Sequence, residues 1–199
     1  MMEGVVLKTV SDPLKYEENI RRSIFICSIS PAENVESARD FISKVSQEYR
    51  NATHNCWAYR IFENQTVHEA YSDAGEPSGT AGRPMLDALK KHGIVNVAVV
   101  VTRYFGGIKL GKRGLIEAYS GVVERALAEA EKAPLLPMNV YLCDTDYSEF
   151  ERIRSRAEKS GGRILSASYS DRVKFEVAVP RSHVLEKCVL IDTRLVKLR

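Results

Sequence analysis

The sequence predicts an α+β protein of two domains, residues 1–133 and 138–199, joined by a linker at 134–137. Three observations predict it. First, Ala133-Pro134-Leu135-Leu136-Pro137 carries two prolines within four residues, which stops a helix and stiffens a join. Second, the stretch beyond it orders its apolar patterns as β-α-β-β-α-β, the ferredoxin-like order. Third, Val95 to Tyr104 is a near-continuous apolar run, as expected of a strand buried on both faces.

Each element has its own reason. Gly4 to Val10 reads as a short strand, broken by Ser11-Asp12-Pro13. Residues 21–29 read as a strand around Ile24, Phe25 and Ile26. Ser30 as N-cap, Pro31 at the first helical position and Glu33 two residues on predict a helix over 31–49. Val35, Ala38, Phe41, Ile42, Val45 and Tyr49 give it an apolar stripe. Strands follow near 55–62 and 66–72, linked around Asn64-Gln65. A turn-rich loop spans 73–82, and Pro84 starts a short helix that ends at Gly93. The apolar strand leads into a Gly-rich loop at 105–114 and a long helix with Leu115, Ile116, Tyr119, Val122, Val123, Ala126, Leu127 and Ala130 on one face.

In the second domain, residues 138–145 form a strand. Ser148 and Glu151 form a capping box that opens a helix closing at Gly161-Gly162. Residues 163–169 and the alternating Val173 to Val179 are strands. After Pro180 comes a short helix holding Val184, Leu185 and Cys188, then a last strand near 193–198.

Composition narrows the function classes. Of 199 residues, 44% are hydrophobic and 28% charged, an ordinary globular balance. No apolar run approaches the ~18 residues of a membrane span, and the N-terminus lacks a secretory signal pattern. A cytoplasmic protein is expected, with no membrane partner. The four cysteines, Cys27, Cys56, Cys143 and Cys188, are far apart, with no C-x-x-C. They read as buried free thiols in a reducing compartment.

The net charge of +3 matters less than its placement. Between Asp87 and Glu117 there is no acid but six bases: Lys90, Lys91, Arg103, Lys109, Lys112 and Arg113. Gly106 to Lys112 fits G-x-x-x-x-G-K, but Arg113 stands where a phosphate-binding P-loop needs the Ser or Thr that binds magnesium. The same loop suits phosphate contact otherwise, since glycines let backbone approach a ligand and a helix N-terminus is electropositive. Asp73 to Arg83 holds three glycines and two small hydroxyls, and its N–H groups could form an anion-binding nest. Asp73 and Glu76 oppose that reading, and they could instead hold Arg83 or Arg103. His54 and Cys56 share one strand face, but nothing activates the thiol, so they read as core. His68, His92 and His183 are isolated. No metal, cofactor or catalytic residue is indicated.

Two stretches, Asp73-Ala74-Gly75-Glu76-Pro77-Ser78-Gly79-Thr80-Ala81-Gly82-Arg83-Pro84 and Val99 to Gly111 (Val-Val-Val-Thr-Arg-Tyr-Phe-Gly-Gly-Ile-Lys-Leu-Gly), are long and ordered. With Ala118-Tyr119-Ser120-Gly121 and the upstream Ala52 to Arg60, the chain resembles the IMPACT/YigZ family over about residues 15–130. The C-terminal part resembles the extra domain of bacterial and archaeal members by pattern. The resemblance implies an N-terminal domain similar to the second domain of a ribosomal small-subunit protein and to the fourth domain of elongation factor G. That fold contains a left-handed βαβ crossover. It implies a C-terminal domain similar to the fifth domain of the same factor. Eukaryotic relatives carry an added RWD domain and restrain a starvation-kinase pathway. This chain is expected to lack room for that domain, so their partner is not carried over. Lys112-Arg113 depart from the Thr-Gly often found there, which makes the loop more basic.

The leading expectation is a non-enzymatic cytosolic protein that binds RNA or the ribosome and modulates translation. Arg83, Arg103, Lys109, Lys112 and Arg113 are the expected phosphate contacts, with Tyr104 and Phe105 stacking or packing. Gly75, Glu76, Pro77, Ser78, Gly79, Thr80, Gly82, Gly106, Gly107 and Gly111 mark the signature loops. Two alternatives stand beside it: an enzyme with a small-molecule site formed by the 73–83 and 103–111 loops, drawing Asp73, Glu76 and His54 together, and a protein-interaction adaptor.

Overall fold

The computed structural model describes residues 7–63 and 66–197. The chain divides into two compact units between Pro134 and Leu135. In order, the first unit carries β1 (Lys8–Val10), β2 (Leu14–Ile20), β3 (Ser23–Pro31), α1 (Val35–Glu48), β4 (His54–Glu63), β5 (Thr66–Ser72), α2 (Gly82–Lys91), β6 (Val97–Tyr104) and α3 (Gly111–Glu129). β7 (Lys132–Thr145) begins in it. The second unit continues β7 and adds α4 (Tyr147–Lys159), β8 (Arg163–Tyr169), β9 (Val173–Pro180) and β10 (Val189–Lys197).

The main sheet of the first unit runs β2-β3-β6-β4-β5, every pair antiparallel. β6 lies at its centre, and both its faces are apolar because both are covered. Val97, Val99 and Val101 join α2 and α3 in one core around Phe25, Met85, Leu89 and Tyr119. Ala98 and Val100 point the other way, to Ala38, Ile42 and Val45 of α1. This is the alternation a doubly covered central strand requires.

Several sequence expectations are corrected here. β2 was not foreseen. It is an edge strand whose half-buried face sets Leu14, Tyr16 and Ile20 on the core, but Glu18 interrupts that apolar stripe and the other positions are exposed. Its turn to β3 is Arg21-Arg22, both left-handed with φ of 46° and 69°. Two-residue hairpin turns need this geometry, and Asn or Gly usually signals it. β3 runs on to Pro31, so the first helix starts at Val35. Asn34 is the cap: its side chain accepts from the Ser37 N–H at 2.7 Å while the Ser37 hydroxyl accepts from the Asn34 N–H at 3.2 Å. The Gly-rich loop ends at Leu110, which places Lys112 and Arg113 in the first turn of α3. The expected strand residues 4–6, the turn at 64–65 and residue 198 lie outside the described residues.

The 134–137 segment is strand. β7 pairs there on one side only, Pro134 opposite Lys8 and Pro137 opposite Leu195, while β9 joins its other side from Met138 onward. Proline is tolerated where one flank of a strand needs no N–H.

The second unit has the antiparallel sheet order β8-β9-β7-β10, with α4 packed on β8 and β9. Its helix is capped by Asp146, which accepts from the Glu149 N–H at 2.8 Å, in place of the expected Ser148–Glu151 box. The expected second helix is absent. Residues 181–188 form turns, with the His183 N–H donating to Pro180 O and the Cys188 N–H to Leu185 O. Cys188 is bonded to Cys143 of β7, their Cα atoms 4.6 Å apart, which ties this segment down without a helix. Two cysteines, Cys27 and Cys56, are free and buried. The expectation of four buried free thiols is thereby corrected, because Cys143 and Cys188 are joined.

Candidate functional site

Four connections meet at one end of the first sheet. They are the β2–β3 turn, the segment before β4, the loop after β5 and the loop after β6. Short hydrogen bonds join them. The Thr53 N–H donates to Arg103 O at 2.9 Å, and the Phe105 N–H to Thr53 Oγ1 at 3.0 Å. The Gly106 N–H donates to Ser23 Oγ at 3.2 Å. Gly106 must be glycine, because a Cβ there would lie 1.9 Å from the Arg22 carbonyl oxygen. Arg21 and Arg22 are thereby seated beside the 105–110 loop.

Arg103, Phe25 and His54 sit side by side on β6, β3 and β4. Arg103 is buried, 5% exposed, and its guanidinium donates to Glu76 Oε1 at 2.6 Å and to Ser23 Oγ at 3.3 Å. The same Glu76 oxygen accepts from the Tyr119 hydroxyl at 2.9 Å. His54 Nε2 lies 4.0 Å from the other Glu76 oxygen, and its Nδ1 is 2.9 Å from Ala74 O. Cys56 donates to Asp73 O at 2.9 Å and lies 3.4 Å from the Tyr119 hydroxyl. Burial pushes the Cys56 thiol up to about 12, and burial likewise raises the Tyr119 hydroxyl. Both directions favour the protonated thiol and hydroxyl, which suits a buried network of hydrogen bonds. The Arg103 Nε, also buried, has no hydrogen-bond partner.

The 73–82 loop is held from within. The Asp73 carboxylate accepts from the N–H groups of Gly79, Ala81 and Gly82 at 2.8, 3.0 and 2.9 Å. The nest anticipated for an external anion is thus filled by the loop's own carboxylate. Thr80 closes a turn onto Pro77 O, and Ser78 is exposed. Gly82 starts α2 against the Ser72 backbone, where a Cβ would sit 2.7 Å from the carbonyl oxygen.

The expected phosphate contacts therefore separate. Arg103 faces inward. Arg83 and Arg113 are exposed but each pairs along its helix, with Asp87 at 3.0 Å and Glu117 at 2.8 Å. Lys109 and Lys112 are exposed, as are Gly107 and Gly111, and among the described residues neither lysine makes an ion pair. Tyr104 is half-buried; Phe105 is 45% exposed, with the Arg103 guanidinium 5.4 Å from its ring. The first turn of α3 carries no acid, and its N-cap, Leu110, offers no side-chain acceptor. Its N–H groups are left open at an electropositive end. Sequence reasoning missed Arg21 and Arg22, since the turn that presents them was unread. It also missed Tyr119 as a network member, although a tyrosine on a buried helix face must seat its hydroxyl.

A two-unit α+β protein with a self-locked signature loop beside an exposed basic sheet end is the class this geometry defines. Residues 21–127 match the Impact N-terminal domain and residues 143–186 match the Domain of unknown function (DUF1949). The chain belongs to the IMPACT family. It is 41% identical over 171 residues to IMPACT family member YvyE of Bacillus subtilis (strain 168), covering 86% of this chain and 78% of that one. It is 34% identical over 175 residues to IMPACT family member YigZ of Escherichia coli (strain K12), covering 87% and 86%. The crystal structure of a hypothetical protein aligns with a TM-score of 0.66 at 33% identity, covering 88% of this chain and 86% of that one. Among the described residues, no helix is long and apolar enough to cross a membrane.

Proposed function

We propose that this protein acts without catalysis, binding RNA, free or on the ribosome, through the basic end of its first sheet, and so modulates translation. One observation carries this reading. Arg21, Arg22, Lys109 and Lys112 are exposed, make no ion pair among the described residues, and lie on the turn, loop and first helical turn that flank an exposed aromatic ring and a helix N-terminus with no side-chain cap. Unpaired bases are free to displace counterions from phosphates, and an exposed ring can stack on an unpaired base. Arg83 and Arg113 contribute less, because each already neutralises a carboxylate. Arg103 contributes by ordering the surface.

The enzyme alternative has weaker support. His54 and Glu76 do come together, as it required. However, a cavity of about 370 Å³ between α2 and α3 is lined by Gly79 and Arg83 of the 73–83 loop with Asp87, Ile116 and Glu124, and neither His54 nor Glu76 lines it.

Fluorescence anisotropy with a structured and a single-stranded RNA, at low and physiological salt, tests the proposal. Affinity should fall with salt, and Lys109→Ala/Lys112→Ala should flatten the log–log slope by about 2, one per phosphate contact. Arg21→Ala/Arg22→Ala should flatten it similarly. No binding at low salt, or binding indifferent to salt, overturns it.

A further inference from the structure

β10 is an outer strand of the second sheet. It pairs with β7 on one side and, among the described residues, with no strand on the other. The open side has a direct marker. The Thr193 N–H donates to the carboxylate of its neighbour Asp192 at 2.7 Å. An N–H turned towards β7 would use the ladder, and engagement by a side chain of its own strand is what an outward-facing N–H on an open edge requires. Val189, Leu190 and Ile191 precede it with exposures of 67%, 52% and 47%. Ile191 also lies in a bulge and has no partner on β7.

Edges left open like this are usually guarded by charge. Here the charges read differently. Ile191-Asp192-Thr193-Arg194-Leu195 is self-complementary about Thr193. Laid antiparallel on a second copy, Asp192 stands opposite Arg194, Ile191 opposite Leu195, and Thr193 opposite itself. Opposite charges and apolar pairs on facing strand positions are stabilising. A parallel in-register pairing would set Asp192 on Asp192 and Arg194 on Arg194, so the same residues oppose open-ended stacking.

We propose that β10 is a self-pairing edge through which two copies of this chain associate antiparallel about a two-fold axis at Thr193. The Thr193 N–H leaves Asp192 and donates to the Thr193 carbonyl of the other copy, and its own carbonyl accepts in return. The freed Asp192 carboxylate exchanges Arg194 of its own chain, 3.9 Å away, for Arg194 of the other copy, whose guanidinium keeps its 3.3 Å contact with Glu176. Each sheet extends the other, and the interface is closed because a two-fold contact uses the same patch on both copies. Nine residues of edge are few against the ~20–30 per side of a standard interface, so the dimer dissociates on dilution.

Sedimentation velocity on the full chain over a dilution series reads this directly. The weight-average mass should climb from 22.3 kDa towards twice that value as concentration rises. Asp192→Lys and Arg194→Glu each set like charges face to face, and each should stay monomeric. An equimolar mixture of the two restores both pairs as a heterodimer and should regain the dimer. Ile191→Lys, which breaks no ion pair, should also stay monomeric. Far-ultraviolet circular dichroism confirms that each variant is folded. A wild-type chain that remains monomeric throughout overturns the proposal. So do folded single variants that associate like wild type, or a mixture that fails to recover.

Discussion

Arg103 and Lys112 come from one basic segment and stand nine positions apart, yet they do opposite things. Arg103 is buried at the end of a central strand, and its charge is spent on Glu76, which also receives the Tyr119 hydroxyl. Lys112 stands in an exposed first helical turn with no ion pair. The difference teaches that a base in a signature loop is assigned by its partners and burial. The inward one fixes the shape of the sheet end; the outward ones are available to a ligand.

Removing Glu76 is the strongest way to test that division. Glu76→Ala would leave Arg103 buried without its counter-charge, which costs about 3–5 kcal/mol. Lys112→Ala should change stability by no more than ~0.5 kcal/mol. Urea titrations of both variants give the comparison as a shift in midpoint at constant slope. The double variant Glu76→Leu/Arg103→Met should recover most of the loss, because an apolar pair leaves no buried charge. If Glu76→Ala unfolds no earlier than Lys112→Ala, the buried pair is not the anchor described here.

Next in size is the disulfide. The first unit is braced by the Glu76 network, the second by the Cys143–Cys188 bond, which spans 45 residues. Removing such a bridge costs ~2–4 kcal/mol. Cys143→Ser/Cys188→Ser should lower the transition of the second unit and leave the first unchanged. Thiol counting sharpens this. The native chain should show no fast-reacting thiol, since burial raises Cys27 and pushes Cys56 up to about 12. The unfolded, unreduced chain should show two, and the reduced one four. Four before reduction would mean that the bridge does not form.

Much of this arrangement was legible in sequence. The apolar run at 95–104 announced a strand covered on both faces, and the periodicity of α3 announced its buried stripe. The glycine-rich signature located both loops of the site. The misses have physical causes. The apolar face of β2 is only Leu14, Tyr16 and Ile20, interrupted by Glu18 and following a proline, and its turn uses arginines where the usual signal is Asn or Gly. Pro134 and Pro137 looked like a break because nothing in sequence shows that β7 is paired on one side only there. The disulfide was hidden because Cys143 and Cys188 meet only once β7 and the segment before β10 are side by side. Arg103 and Glu76 were weighed as partners, but so were other pairings; only the fold brings their strand and loop together.

The smallest expected effect concerns pH, and it contrasts a peripheral carboxylate with the buried Glu76. Glu69 on β5 bridges Arg60 at 2.8 Å and Lys90 at 2.5 Å. Partial burial by itself would raise its pKa, but hydrogen bonds from Lys90 and Arg60 outweigh it and hold the carboxyl below its ordinary value. A carboxylate depressed in the folded state contributes stability above its unfolded pKa of ~4.3, and that contribution disappears as pH falls through the lower folded value. Because the pair is partly solvated, the contribution is about 1 kcal/mol or less. Urea midpoints measured from neutral pH down into this range should therefore fall less steeply for Glu69→Gln than for wild type. The variant starts lower at neutral pH and converges with wild type in acid. Parallel curves with a constant offset would mean that Glu69 acts through packing, and that its ion pairs with Arg60 and Lys90 add nothing to folding.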